Sequence, residues 1–402
     1  MPVVPSIPRD IGDHIIDTVY SSGDSETLDA LSVVSQAWRL PSQAKIFKKF
    51  YLDFKKMKLI HSEISSTTNP AASRQRLLTL LSYVRDLEVD ALKLSSPESH
   101  GAYPEILKLF TNVTSLQLNN WYFQEFNSGD ICDFFGHFGQ TVTTLQLFES
   151  FSNSGVLVSL TSLFFRIRSL SVSPRTDADR KTYRPQVIYE DSPVEFGENL
   201  QFSYLKAQDD PFLEFVNDRC SDVRAVSLYR CESVKGLQKL LERQGERLAS
   251  VTIGFKPGEF TAVQHGLRSR STSLGFSISL KPCIQLKHLS IRLNGSFQPD
   301  DPSWQALRTL ASPVLEVISV RDFYPERLVV HANEWAEVDF LLCECYDRSN
   351  PNGVGTFRVV FHLDDLDSDS EEVRNMLREG AERVWPEFSR KSRVTFDPPS
   401  PL

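Results

Sequence analysis

The sequence predicts an α/β solenoid, a curved parallel sheet with outer helices, preceded by a small all-α segment of three helices. Three observations predict it. First, an apolar spacing φ-x-x-φ-x-φ returns nine times, as Val84-Leu87-Val89, Val113-Leu116-Leu118, Val142-Leu145-Leu147, Ile167-Leu170-Val172, Phe202-Leu205-Ala207, Val223-Val226-Leu228, Leu248-Val251-Ile253, Leu286-Leu289-Ile291 and Leu315-Ile318-Val320. Second, the central residues of these copies lie 29, 29, 25, 35, 21, 25, 38 and 29 positions apart, a range in which one supersecondary unit repeats and stacks on its neighbour. Third, helix-compatible segments alternate with the strands, and a helical return after every strand gives parallel pairing.

Length alone would split 402 residues into two or three domains, but a repeat array is one elongated unit. Hydrophobic content of 41% beside 24% charged residues is that of a folded chain with a sizeable core. The net charge of −8 argues against broad binding to nucleic acid or anionic membrane, because both draw on basic surface. Met1-Pro2-Val3-Val4-Pro5 lacks a basic start followed by an apolar run, and no stretch approaches the about 20 apolar residues that span a bilayer. These features lead to the expectation of a cytoplasmic or nuclear protein. Six cysteines over this length are too sparse for a disulfide framework and are expected as free thiols.

Residues 1–58 read as the helical segment. Ile11, Ile15, Ile16 and Val19 share one face of a first helix after Pro8, and Ser21-Ser22-Gly23 ends it. Asp24 or Ser25 can cap a second helix carrying Leu28, Leu31 and Val34; Ser35 can cap a third containing Trp38, after which Pro41 redirects the chain. Residues 59–83 form a linker, hinge-like over Ser62–Ser73, and a first outer helix. Residues 84–325 are the solenoid, with helices expected over Arg74–Ser82, Tyr103–Phe110, Ile131–Phe138, Val156–Phe165, Phe212–Asp218, Val234–Gln244 and Ser303–Leu310. Long surface excursions are expected at Pro174–Pro193 and Gly254–Pro282. Residues 326–402 form a cap, with a helix over Glu334–Cys345, a last strand at Phe357–Phe361, and an acidic run from Asp364 to Glu372 that suits the start of a helix over Val373–Trp385.

Ile7-Pro8-Arg9-Asp10-Ile11 through Ile15-Ile16-Asp17, then Thr27-Leu28, then Leu31 through Val34-Ser35-Gln36-Ala37-Trp38, resembles an F-box. The order matches that family: a Leu-Pro-like start, an amphipathic helix, an acidic turn, a second helix and a Val-Ser-x-x-Trp ending. Ile7 replaces the more usual Leu, and Arg9 stands where an acidic residue is common. The repeats resemble divergent leucine-rich repeats. In that family an Asn or Cys commonly follows the last strand leucine by three positions and bonds the backbone of the turn. Asn294 and Cys231 stand there in this chain, whereas Trp121, Ser150, Arg175, Lys256 and Phe323 stand there in other units. The two parts together are similar to a large group of fungal F-box proteins.

The F-box resemblance implies docking onto a Skp-type adaptor, and through it a cullin and a RING subunit of a ubiquitin ligase. Ile7, Pro8, Ile11, Ile15, Ile16, Leu28, Leu31, Val34 and Trp38 match the motif. The alternative for the same helices is a plain cap on the end of the array, since terminal units are atypical; the chain would then be a repeat scaffold with no link to ubiquitin transfer. A protein substrate is expected on the outward positions of the strands, which alternate with the apolar ones. Candidates are Glu88, Gln117, Phe148, Tyr204, Tyr229, His288, Arg292 and Arg321, drifting from acidic to basic along the chain. No phosphate loop, nucleophile elbow or zinc helix is present, and Cys343-Glu344-Cys345 lacks a second close pair. The expectation is therefore a non-catalytic chain with no cofactor and no metal.

Overall fold

The computed structural model describes residues 9–66, 71–90, 103–121, 128–148, 154–173, 194–205, 210–229, 231, 234–254, 278–292, 302–323, 332–351, 357–363, 379–380, 382–392 and 394–397. The chain divides into two compact units, the first built from residues up to Phe151 and the second from Val194 onward, with the stretch between shared.

The first unit opens with α1 (Arg9–Ser21), α2 (Ser25–Val34) and α3 (Gln36–Ile46). Gly23, at φ +76°, makes the turn after α1, a conformation that side chains resist. The Asp24 carboxylate then accepts the backbone N–H of Thr27 at 2.9 Å and caps α2. Ser35 stands at the N-cap of α3 without a side-chain bond, and α3 runs straight through Pro41. Pro41 therefore does not end the helix, although its missing N–H forfeits one bond to the preceding turn.

The sheet begins earlier than the apolar spacing suggests. β1 (Lys49–Leu52) lies within the residues read as purely helical, and α4 (Phe54–Ser65), capped by Asp53 through the N–H of Lys56 at 2.8 Å, is the first return. After α5 (Ala71–Leu81) come β2 (Asp86–Asp90), α6 (Tyr103–Leu107), β3 (Ser115–Asn119), α7 (Ser128–Phe135) and β4 (Thr144–Phe148). The strand order is β1-β2-β3-β4, and every pairing is parallel. Leu52, Val89, Leu118 and Leu147 stand in register and are all buried, as are Leu87, Leu116 and Leu145 one row away. Each such side chain stabilises the array by roughly 1.5–3 kcal/mol relative to exposure.

The shared stretch contributes α8 (Ser154–Thr161) and β5 (Arg166–Ser173). The second unit continues through β6 (Glu195–Ser203), α9 (Asp210–Asp218), β7 (Cys220–Tyr229), α10 (Val234–Gln244), β8 (Ser250–Gly254), β9 (His288–Arg292), α11 (Pro302–Gln305), β10 (Val317–Phe323), α12 (Ala332–Ser349), β11 (Arg358–Leu363), α13 (Pro386–Lys391) and β12 (Val394–Asp397). Strand order again follows chain order, with parallel pairing from β6 through β12. A sheet whose strands pair strictly in sequence, each with its own return, is a leucine-rich-repeat-like α/β array.

One expected copy moves. Leu200 and Phe202, not Leu205 and Ala207, stand beside Val226 and Leu228 of the next strand. With Leu200 as the centre, the spacings of 35 and 21 become 30 and 26, so the repeat is more regular than the apolar pattern alone conveys. The pattern misleads because Leu205 is also fully buried, just past the strand.

Past β10 the strand pattern persists through β11 and β12. Asp339 of α12, buried, accepts the backbone N–H groups of Phe388 at 2.9 Å and Glu387 at 3.2 Å and so caps α13 from a distant helix. Trp335 packs edge-on against Trp385 at 5.0 Å, and Phe361 stacks on Trp385 at 4.7 Å. The excursion 174–193, most of 254–282, the acidic run 364–372 and most of the expected helix over 373–385 lie outside the described residues.

Candidate binding surfaces

In the three-helix segment, side chains split by face. Ile16 and Leu28 are buried, Leu31 and Trp38 are half-buried, and Ile11, Ile15 and Val34 are exposed, Val34 at 69%. Ile7 and Pro8 lie outside the described residues. Two exposed apolar residues escaped the sequence reading, Val33 at 73% and Leu40. Hydrophobic spacing flags residues that share a face, but it does not say which face finds a partner within the chain.

On the first unit's sheet the outward positions form rows. Tyr51, Glu88, Gln117 and Gln146 stand in register, followed by Asp90, Asn119 and Phe148. Asn119 joins two candidates: its Nδ2 donates to Glu88 Oε1 at 2.6 Å, and its Oδ1 accepts from Gln117 Nε2 at 3.1 Å. Tyr51 donates its phenolic O–H to Asp90 at 2.9 Å, and that carboxylate pushes the phenol up to about 12. A cleft of about 850 Å³ opens beside Asp90, lined by Asp53, Phe54, Lys55, Lys58, Leu59 and Ser62.

Strand ends share one geometry in both units. Asn120 (φ +56°) donates its backbone N–H to the Phe148 carbonyl, and Tyr204 (φ +59°) donates to that of Tyr229. Both turns place a side chain in the left-handed region that usually favours glycine or asparagine. The expected bond from the position after the strand exists at Cys231, whose buried Sγ donates to the Phe202 carbonyl at 3.4 Å. Trp121 fills the same office with its indole N–H to the Val89 carbonyl at 3.3 Å. Asn294 lies outside the described residues.

On the second unit three candidates meet. Tyr204 packs edge-on to Tyr229 with centroids 5.9 Å apart, and the Arg292 guanidinium carbon lies 4.7 Å above the Tyr229 ring. Gly254 lies between Tyr229 and Arg292; a Cβ there would sit 2.8 Å from the Arg292 Cβ. A glycine at a strand end signals such a close approach, and sequence reasoning passed over it. Arg321 is exposed and is the register partner of Arg292 on β10. His288 stands apart at the start of β9, 3.9 Å from Glu316. Ser227, Thr252, Ser290 and Ser319 form a row of small hydroxyls beside the cluster.

Titratable groups in the interior are placed for packing. Burial pushes the Cys220, Cys283 and Cys345 thiols up to about 12 and Cys343 to about 11. His137 donates its Nε2–H to the Leu107 carbonyl, 2.9 Å away, and burial lowers its pKa. None of the six cysteines is in a disulfide. Among the described residues no group of His, Cys, Asp and Glu is arranged to hold a metal ion, and no helix is long and apolar enough to cross a membrane.

No protein-family model matches this chain, and no curated protein matches it. Among solved structures, the crystal structure of the leucine-rich repeat-containing protein LegL7 from Legionella pneumophila aligns over 90% of this chain and 94% of that one, at 11% identity and a TM-score of 0.42.

Proposed function

We propose that this chain is the substrate receptor of a Skp-cullin-F-box ubiquitin ligase. The helices α1–α3 dock a Skp-type adaptor, the adaptor brings the cullin and RING subunits, and the outward sheet face holds a protein substrate. The chain itself does no chemistry. It tethers the substrate near the conjugating enzyme and raises its effective concentration there.

One observation carries this reading. Of the twelve exposed large apolar side chains among the described residues, five (Ile11, Ile15, Val33, Val34 and Leu40) fall within α1–α3. Scattered exposed apolar residues are ordinary, but this density on a short segment whose own interior takes Ile16 and Leu28 is what a docking surface needs. A cap serving only the array would have no use for it.

The test is co-expression of the full chain with a Skp-type adaptor, followed by size-exclusion chromatography. Co-elution that is lost in Ile15→Glu with Val34→Glu, with circular dichroism unchanged, supports the receptor. Failure of the wild-type chain to co-elute leaves only an interaction scaffold without a ubiquitin link.

A further inference from the structure

We infer that the outward face of β7 to β10 holds an acidic protein segment, with a carboxylate seated on the guanidinium of Arg292. The inference rests on the reading above that this face takes the receptor's substrate, and it names that substrate's chemistry.

Arg292 starts on β9 and reaches back over Gly254 of β8 to lie on the Tyr229 ring of β7. Only glycine permits that path, because a Cβ at 254 would meet the Arg292 Cβ at 2.8 Å and Tyr229 Cδ2 at 3.3 Å. Tyr204 packs edge-on against the same ring, with centroids 5.9 Å apart. The guanidinium is thus fixed in place before any ligand arrives, which lowers the ordering cost of binding.

It is also short of acceptors. Among the described residues, Arg292 Nε is enclosed with no hydrogen-bond partner and the guanidinium makes no ion pair. A carboxylate supplied from outside offers two oxygens in the geometry a guanidinium matches. Arg321, exposed beside it in register, adds a second positive charge and also makes no ion pair among the described residues. In a chain of net charge −8 this is a local reversal of sign. The adjoining row of Ser227, Thr252, Ser290 and Ser319 leaves a low bed along which an extended acidic chain can lie.

Fluorescence anisotropy tests this with the full chain and a short labelled peptide of alternating Glu and Ser, beside its Gln-for-Glu counterpart. The acidic peptide should bind at least about tenfold more tightly than the neutral one, and less so in added salt. Arg292→Gln should weaken it by about tenfold or more, while Arg292→Lys, which keeps the charge without the planar fork, should recover only part. Gly254→Ala should also weaken it with every charge intact, and it carries the test with Arg321→Gln if Arg292→Gln does not fold by its melting curve. Equal binding of the two peptides, no binding by about 1 mM, or unchanged affinity in the variants would overturn the inference. A phosphoserine peptide without Glu that binds more tightly than the acidic one would overturn it in favour of phosphate. Adaptor co-elution is read separately: its loss sinks the receptor reading, whereas failed peptide binding with the adaptor retained sinks this inference alone.

Discussion

Trp121 donates its indole N–H to the carbonyl of Val89 on the neighbouring strand, 3.3 Å away, from a fully enclosed position. The residue that breaks the expected Asn-or-Cys pattern therefore still performs its task, a bond from the turn back to the adjacent repeat. Its ring also packs edge-on against Phe135 at 5.0 Å and Phe134 at 5.8 Å, so one side chain both bonds and fills.

Replacing that indole separates the two roles. Trp121→Phe keeps most of the packing but removes the indole donor to the Val89 carbonyl, and should cost about 0.5–1.5 kcal/mol. Trp121→Ala should cost more, about 3–5 kcal/mol. Urea denaturation followed by circular dichroism reads both; equal costs would mean the bond contributes nothing.

Tyr51 makes the first unit sensitive to alkaline pH. Its phenol is raised from 10 to about 12, first by its hydrogen bond to Asp90, so folding favours the protonated form. That contribution is fully present below pH 10 and is lost as pH rises through about 12. Ultraviolet difference titration should therefore show one late-titrating tyrosinate that Tyr51→Phe removes and Asp90→Asn shifts down towards 10. An unchanged titration in Asp90→Asn would contradict the pairing.

Thiol reactivity should separate the cysteines sharply. Cys132 is exposed, whereas Cys231, Cys283, Cys343 and Cys345 are buried and the last three carry thiols raised to about 11 or 12. Thiolate is the reacting form, so an aromatic disulfide reagent should label Cys132 rapidly and those four only on unfolding. Cys132→Ala should abolish the fast phase. A fast phase that survives would show that half-buried Cys220 or one of the four buried thiols opens to solvent.

Much of this fold was legible because burial is periodic. Leu116-Leu118 and Leu145-Leu147 alternate with polar residues and recur at a fixed distance, which only stacked strands explain. β1 was not legible: Phe50 and Leu52 are too few to show a period between two helices. β6 was misplaced because Leu205 is buried for reasons unrelated to the strand ladder. At the sites, alternation gave the outward residues, but the meeting of Tyr229 with Arg292 depends on a side chain crossing a strand at Gly254, which no local spacing encodes. Val33 and Leu40 likewise became candidates only once their exposure was known.

The receptor reading stands or falls on the adaptor. Affinity capture of the full chain from a eukaryotic cell extract, side by side with the Ile15→Glu, Val34→Glu variant of matched circular dichroism, tests it most directly. A Skp-type adaptor and a cullin are expected with the wild-type chain and neither with the variant. Recovery of neither with the wild-type chain, or of both with the variant, would contradict it.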